Sequence, residues 1–154
     1  MNFAGDSVLH APQQQAWDAL LDPKVLAKCL PGCERLEETG PDTYAAVVSL
    51  GLAAVRGTYT GQVKIGEKDA PNHYTLALEG SGSSGTFKGT STIALAPIPD
   101  GTAVHWTADV QIGGPIAGVG QRLFGGVSKL VAGDFFKRLD QHLGQNQAVG
   151  EKEG

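Results

Sequence analysis

Over residues 113–143 apolar side chains recur at helical spacing. Pro115 opens the stretch, and Ile116, Val119, Leu123, Val127, Leu130 and Val131 follow at three- and four-residue intervals. A single helix of that length crosses a whole sheet. From Cys33 to Ile112 the period is two instead. Alternation predicts strands over 34–39, 43–55, 58–67, 73–80, 86–96 and 102–112. Tyr44, Ala46, Val48, Leu50 and Leu52 share one face of the second of these, and Tyr59, Gly61, Val63 and Ile65 one face of the third. Gly40-Pro41-Asp42, the segment 68–72 and the Asp100-Gly101 pair supply the turns.

Ahead of these lies a strand over 1–10, then a helix over 13–21 with Ala16, Trp17, Leu20 and Leu21 on one face. Asp22-Pro23 starts a second short helix, which Pro31-Gly32 ends. The pattern predicts an α+β domain: seven strands paired antiparallel through short turns, two short helices after the first strand, and one long closing helix gripped by the sheet. One domain covers 1–143, and 144–154 is a polar, aperiodic tail expected to be disordered.

Composition narrows the function classes. The 154 residues can bury a sizeable core, and 41% hydrophobic with 18% charged residues is globular. A net charge of −4 leaves no basic footprint for nucleic acid. No segment reaches the roughly 18 apolar residues of a membrane span. The first ten residues lack a basic start and an apolar run, so a cytoplasmic setting with Cys29 and Cys33 as free thiols is expected.

Catalytic and metal motifs are weak. Gly80-Ser81-Gly82-Ser83-Ser84-Gly85 fits the dinucleotide fingerprint in letters, but strand alternation follows it where that motif needs a helix. His10, His73, His105 and His142 have no partners at metal-ligand spacing and read as surface residues. Cys29 and Cys33 are one residue too far apart for a redox pair of the C-x-x-C kind. The sequence predicts no catalytic residue, no metal and no cofactor.

The aromatic positions say more. Tyr44, Tyr59, Phe87 and Trp106 fall on inward faces, and Gly61, Gly80, Gly82 and Gly89 interrupt the same faces. Core packing is the ordinary role of such rings. Missing side chains beside them also suggest room for an apolar ligand. On the long helix Gly118, Gly125, Gly126 and Gly133 recur near seven-residue spacing. Each costs roughly 1 kcal/mol against Ala in a helix interior. They could loosen the helix, admit a partner surface, or simply be tolerated.

Several of these stretches resemble the G-type carbon monoxide dehydrogenase subunit family, within the helix-grip superfamily of polyketide cyclases, START-like lipid-transfer domains and plant pathogenesis proteins. They are Ala27-Lys28-Cys29-Leu30-Pro31-Gly32-Cys33-Glu34, Val55-Arg56-Gly57-Thr58-Tyr59-Thr60-Gly61, Gly85-Thr86-Phe87-Lys88-Gly89, the run from Ala108 through Gly113-Gly114-Pro115 to Ala117, and Phe135-Phe136. The likeness spans about residues 1 to 143. It implies a helix-grip fold with a cavity between sheet and closing helix. It also implies a non-catalytic accessory role beside a carbon monoxide dehydrogenase-type molybdenum hydroxylase, in membrane recruitment, assembly or handling of a quinone. The family carries no established catalytic residues to transfer. Longer members extend past the helix into a membrane-anchoring tail, whereas Gly150-Glu151-Lys152-Glu153 is polar.

The resulting expectation is a cytoplasmic binding module, peripheral at the inner face of the membrane when it makes transient contact there. Its apolar ligand, a quinone or lipid, would lie among Tyr59, Phe87, Trp106, Ile116, Val119, Leu123 and Val127. Gly118, Gly125, Gly126 and Gly133 would form a partner or gate face. A ligand-free docking factor and a cyclase- or hydrolase-type enzyme are the alternatives.

Overall fold

The computed structural model describes residues 1–51 and 55–153, with side chains through residue 144. In order the elements are β1 (Asn2–Leu9), α1 (Gln13–Leu20), α2 (Pro23–Cys29), β2 (Cys33–Gly40), β3 (Thr43–Leu50), β4 (Gly57–Asp69), β5 (His73–Gly82), β6 (Gly85–Ile98), β7 (Gly101–Gly113), a 3-10 turn (Pro115–Val119) and α3 (Gln121–Glu153). The seven strands form one antiparallel sheet in the order β1-β7-β6-β5-β4-β3-β2. Short turns force neighbours in sequence to pair. β1 connects to β2, at the opposite edge, through α1 and α2, and pairs with β7.

Register sets the inner face row by row. Ala46, Gly61, Gly80, Phe87 and Ile112 lie side by side across β3 to β7, and the next row holds Tyr44, Val63, Leu78, Gly89 and Val110. Further along, Tyr74, Ile93, Trp106 and Gly5 align. The alternate positions, among them Thr60, Gln62, Glu79, Lys88 and Gln111, turn to water on the other side.

The main core fills one end. Trp17, Leu20, Tyr74, Ile93, Leu95, Val104, Trp106, Phe136, Leu139 and Leu143 pack there, with Leu9 and Leu139 fully buried. Trp17 meets Tyr74 edge to face at 5.5 Å between ring centroids, a favoured aromatic geometry. α3 packs against β1, α1 and α2. The Asp22 carboxylate caps α2 by accepting from the Lys24 N–H at 2.9 Å, with Pro23 at the first helical position.

Two expectations are corrected. The closing helix is not continuous from residue 113. Gly114 (φ 81°) and Gly120 (φ 92°) take left-handed conformations, so the first part is a separate 3-10 turn and α3 starts at Gln121. The strand expected over 43–55 ends at Leu50, while Leu52 lies outside the described residues. The Gly80–Gly85 run is a hairpin in which Gly82 pairs with Gly85 around Ser83-Ser84. A strand, not a helix, follows it, so the context of a dinucleotide loop is missing. α3 takes in most of the segment that reads as a tail in sequence.

Candidate functional site

At the end of the sheet away from the main core, a second apolar cluster forms. Val55, Tyr59, Ile116 and Phe124 are buried, and Phe3, Leu50, Phe87, Ile112, Val119 and Val127 are packed against them. The Tyr59 hydroxyl donates to the Val55 carbonyl at 2.8 Å, so its polar end is satisfied inside the cluster. Its ring lies 6.1 Å from that of Phe87. Ser91, also on the inner face, donates to the Thr107 carbonyl at 2.7 Å. Among the described residues no buried side-chain nitrogen or oxygen lacks a partner.

Between the two clusters lies a stretch of sheet that neither of them covers. Val63, Leu78 and Val110 share the row between the clusters and Val48 lies in the row of Tyr59; all four point inward by register, yet they are half-buried and belong to neither cluster. A well-packed interior leaves few voids, and these inward valines and leucines still meet solvent, so this part of the inner face is incompletely covered.

The expected lining residues divide. Tyr59, Phe87, Ile116, Val119 and Val127 come together in the second cluster. Trp106 does not join them; it lies in the main core, because its row of the sheet sits with Tyr74 and Ile93. Leu123 is 39% exposed and faces outward. The break at Gly120 shifts the helical phase, so that Phe124 rather than Leu123 turns inward. Sequence reasoning missed Phe124 and Val55 at the site, and it put Val48 and Val63 on inward strand faces without placing them there. The strand register held that signal.

The glycines of the inner face act differently from the expectation that they leave room. Side chains added at Gly80, Gly82 and Gly5 would run into the rings of Phe87, Tyr59 and Trp106 respectively. Each ring lies across the bare backbone of a neighbouring strand, an arrangement that fixes register in curved sheets. By contrast Gly118, Gly125, Gly126 and Gly133 have open space where a Cβ would stand. Gly118, Gly126 and Gly133 are exposed and belong with Leu123, Leu130, Arg122 and Lys129 to the outer side of the closing segment, whereas Gly125 is half-buried and turns the same way as Ala132.

Candidate chemistry elsewhere is sparse. His10 Nδ1 sits 2.8 Å from Asp140, His105 Nδ1 2.7 Å from Asp6, and His73 Nδ1 3.6 Å from Asp69, all at the surface. Among the described residues no group of three or more His, Cys, Asp or Glu side chains could hold a metal. Cys29 and Cys33 are free thiols, and burial pushes both above the usual thiol range. Burial likewise raises the Tyr74 hydroxyl well above the ordinary phenol range. An open groove of about 1120 Å³ runs among His10, Gln13, Asp18, Asp100 and His142. Another, of about 920 Å³, spreads over the outer sheet face among Arg35, Thr60, Gln62, Glu79 and Lys88. Charged and polar groups line much of both. No helix among the described residues is long and apolar enough to cross a membrane.

A seven-stranded antiparallel sheet with a long C-terminal helix defines the helix-grip, START-like class. A START superfamily protein from Mycobacterium smegmatis superposes with a TM-score of 0.76 at 13% identity, over 94% of this chain and 97% of its own. The chain belongs to the CoxG family of carbon monoxide dehydrogenase subunits, whose model matches residues 5–144. A conserved protein from Geobacillus kaustophilus shares 36% identity and a TM-score of 0.90, over 94% of this chain and 96% of its own. A protein from Chromobacterium violaceum is 20% identical, with a TM-score of 0.68 over 91% and 95% of the two chains. No functionally curated protein sequence matches the chain.

Proposed function

We propose that the chain is a non-catalytic accessory protein that holds an apolar small molecule, a quinone or lipid, between the inner sheet face and α3, and serves a molybdenum hydroxylase of the carbon monoxide dehydrogenase type. The observation that carries this reading is the half-buried inward set of Val48, Val63, Leu78 and Val110. Apolar surface kept under a sheet and left uncovered gains by taking up an apolar guest, at roughly 25 cal/mol for each Å² removed from water. The walls bring a few tyrosine and serine hydroxyls, and those of Tyr59 and Ser91 are already bonded within the protein. Such a site suits storage or transfer more than acid–base chemistry, which requires a poised proton donor or acceptor beside the substrate. Membership of a family named for a dehydrogenase subunit supports the accessory role.

Solvent extraction of the purified protein followed by mass spectrometry should find an apolar species, and added quinone should bind. If extraction yields nothing and no quinone binds, the proposal fails. Leu78→Trp, which fills the middle of the space, should weaken quinone binding at least tenfold and leave thermal unfolding within a few degrees of the parent.

A second reading has its own observation. Gly118, Gly126 and Gly133 are exposed with open space where a Cβ would stand, so another backbone can approach the closing segment closely there. In that reading the face docks the partner enzyme, with or without a ligand inside. Replacing Gly126 by Trp should abolish capture of the hydroxylase in a pull-down while the circular dichroism spectrum stays unchanged. Undiminished capture removes docking through this face.

A further inference from the structure

The way into the space under the sheet is not through the main core, which Trp17, Phe136, Leu139 and Leu143 fill. At the other end a short segment of unusual construction covers the second cluster with Ile116. Residues 115–119 form a five-residue 3-10 turn between two glycines of positive φ: Gly114 at φ 81°, ψ −167° and Gly120 at φ 92°, ψ 160°. Other residues rarely adopt either conformation. No neighbouring atom lies within 4 Å of a Cβ built on Gly120, so backbone geometry rather than lack of space suits glycine there. Gly120 can therefore swivel with little steric resistance, while Gly114 lies against bare Gly85, where a Cβ on it would stand 2.9 Å from the Gly85 Cα.

The body of the turn is held at few points. Its Ile116 side chain is buried with Val55, Tyr59 and Phe124, and Val119 at its far end packs against the same cluster. The Ile116 N–H donates to the Ser84 carbonyl, at the tip of the β5–β6 hairpin, at 2.9 Å. The Ala117 N–H bonds back to Gly114 within the same segment. Bare Gly85 makes the seat, since a Cβ on it would lie 2.6 Å from Ile116 Cγ1. So the hairpin tip supplies a carbonyl and a flat spot, and the turn supplies an N–H and a plug. Lifting Ile116 would uncover Tyr59 and Phe124, both apolar walls of the second cluster, and with them the route to Phe87 and Val127.

We propose that the turn Pro115–Val119 is a door onto the apolar space, hinged at Gly114 and Gly120 and latched by Ile116 on Ser84 and Gly85. It rests on the ligand-binding reading above and adds the route by which the guest exchanges. It differs from movement of α3 itself: the hinges lie before the helix, and the helix stays packed on β1 and α2.

Two measurements test it. The first needs no ligand. By amide hydrogen exchange, the Ile116 N–H should be at least a hundredfold less protected than the amide of Val104 in the same sheet. Equal protection overturns the door. The second uses a double variant, Ser84→Cys with Ile116→Cys, oxidised so that the latch is covalent, with the bond confirmed by peptide mapping. Uptake of the neutral fluorescent probe N-phenyl-1-naphthylamine should slow at least tenfold in the oxidised form and recover on reduction. If oxidised and reduced forms take up the probe at the same rate, the door is wrong while the ligand-binding reading stands. If neither they nor the parent protein takes up the probe, the ligand-binding reading fails and the door fails with it.

Discussion

Trp106→Ala lowers the stability of the fold by about 3–5 kcal/mol, the range for emptying a large aromatic site in a packed core. The indole is 8% exposed and sits in the main core with Trp17, Tyr74, Ile93 and Val104. It also lies across β1, so close to Gly5 that a Cβ there would stand 2.6 Å from its Cζ2. Truncation therefore does two things. It opens a cavity among side chains that cannot all collapse into it, and it removes the ring that covers β1, an edge strand. The urea midpoint should fall with little change in the slope of the transition, because the area exposed on unfolding is almost the same. Quinone affinity should change less than threefold, since the second cluster lies at the other end. An equal loss of affinity would return Trp106 to the ligand site, where alternation and aromatic character alone would put it.

That difference shows what periodicity can and cannot deliver. Alternation correctly puts Tyr59, Phe87 and Trp106 on one face of the sheet, because side-chain direction is a property of each strand alone. It cannot tell which row of that face each residue occupies. Row is a property of register across strands, and here β5 and β6 run further than their alternation alone suggests, to Gly82 and from Gly85. The closing helix fails in the opposite way. Its apolar spacing is continuous in sequence, and the interruption comes from backbone dihedrals at Gly114 and Gly120. Glycine at either position is visible, but glycine also recurs at Gly125, Gly126 and Gly133, where the helix continues unbroken. Composition alone does not separate a hinge from a tolerated glycine; Pro115 directly after Gly114 is the usable hint. The family likeness carries the overall architecture, and no residue pattern by itself discloses that Val48, Val63, Leu78 and Val110 stay half-buried outside both clusters.

The same distinction predicts different outcomes for two glycines that look alike in sequence. Gly80→Ala and Gly89→Ala both add one methyl to the inner face, in neighbouring rows of the same sheet. At Gly80 the obstacle is the far end of the Phe87 ring. A ring can turn about its χ angles, so the cost should be about 1 kcal/mol, the low end for overpacking, and Phe87→Leu in the same chain should recover most of it. At Gly89 the obstacle is the Asp109 carbonyl oxygen and the Val110 Cα of β7. Those atoms cannot move without pulling β6 from β7, where Gly89 and Val110 are paired. Gly89→Ala should therefore cost about 3 kcal/mol or more, the upper end of the same range, and no side-chain substitution at a neighbour should restore it. Denaturant unfolding of the two single variants and the Gly80→Ala, Phe87→Leu pair checks this. If Gly89→Ala proves as mild as Gly80→Ala, the close approach of β6 and β7 at this row is wrong. Rescue at Gly80 alone would show that its glycine exists to seat a ring. The space above that ring would then depend on where Phe87 lies, so that the rescued pair should also bind quinone differently from the parent.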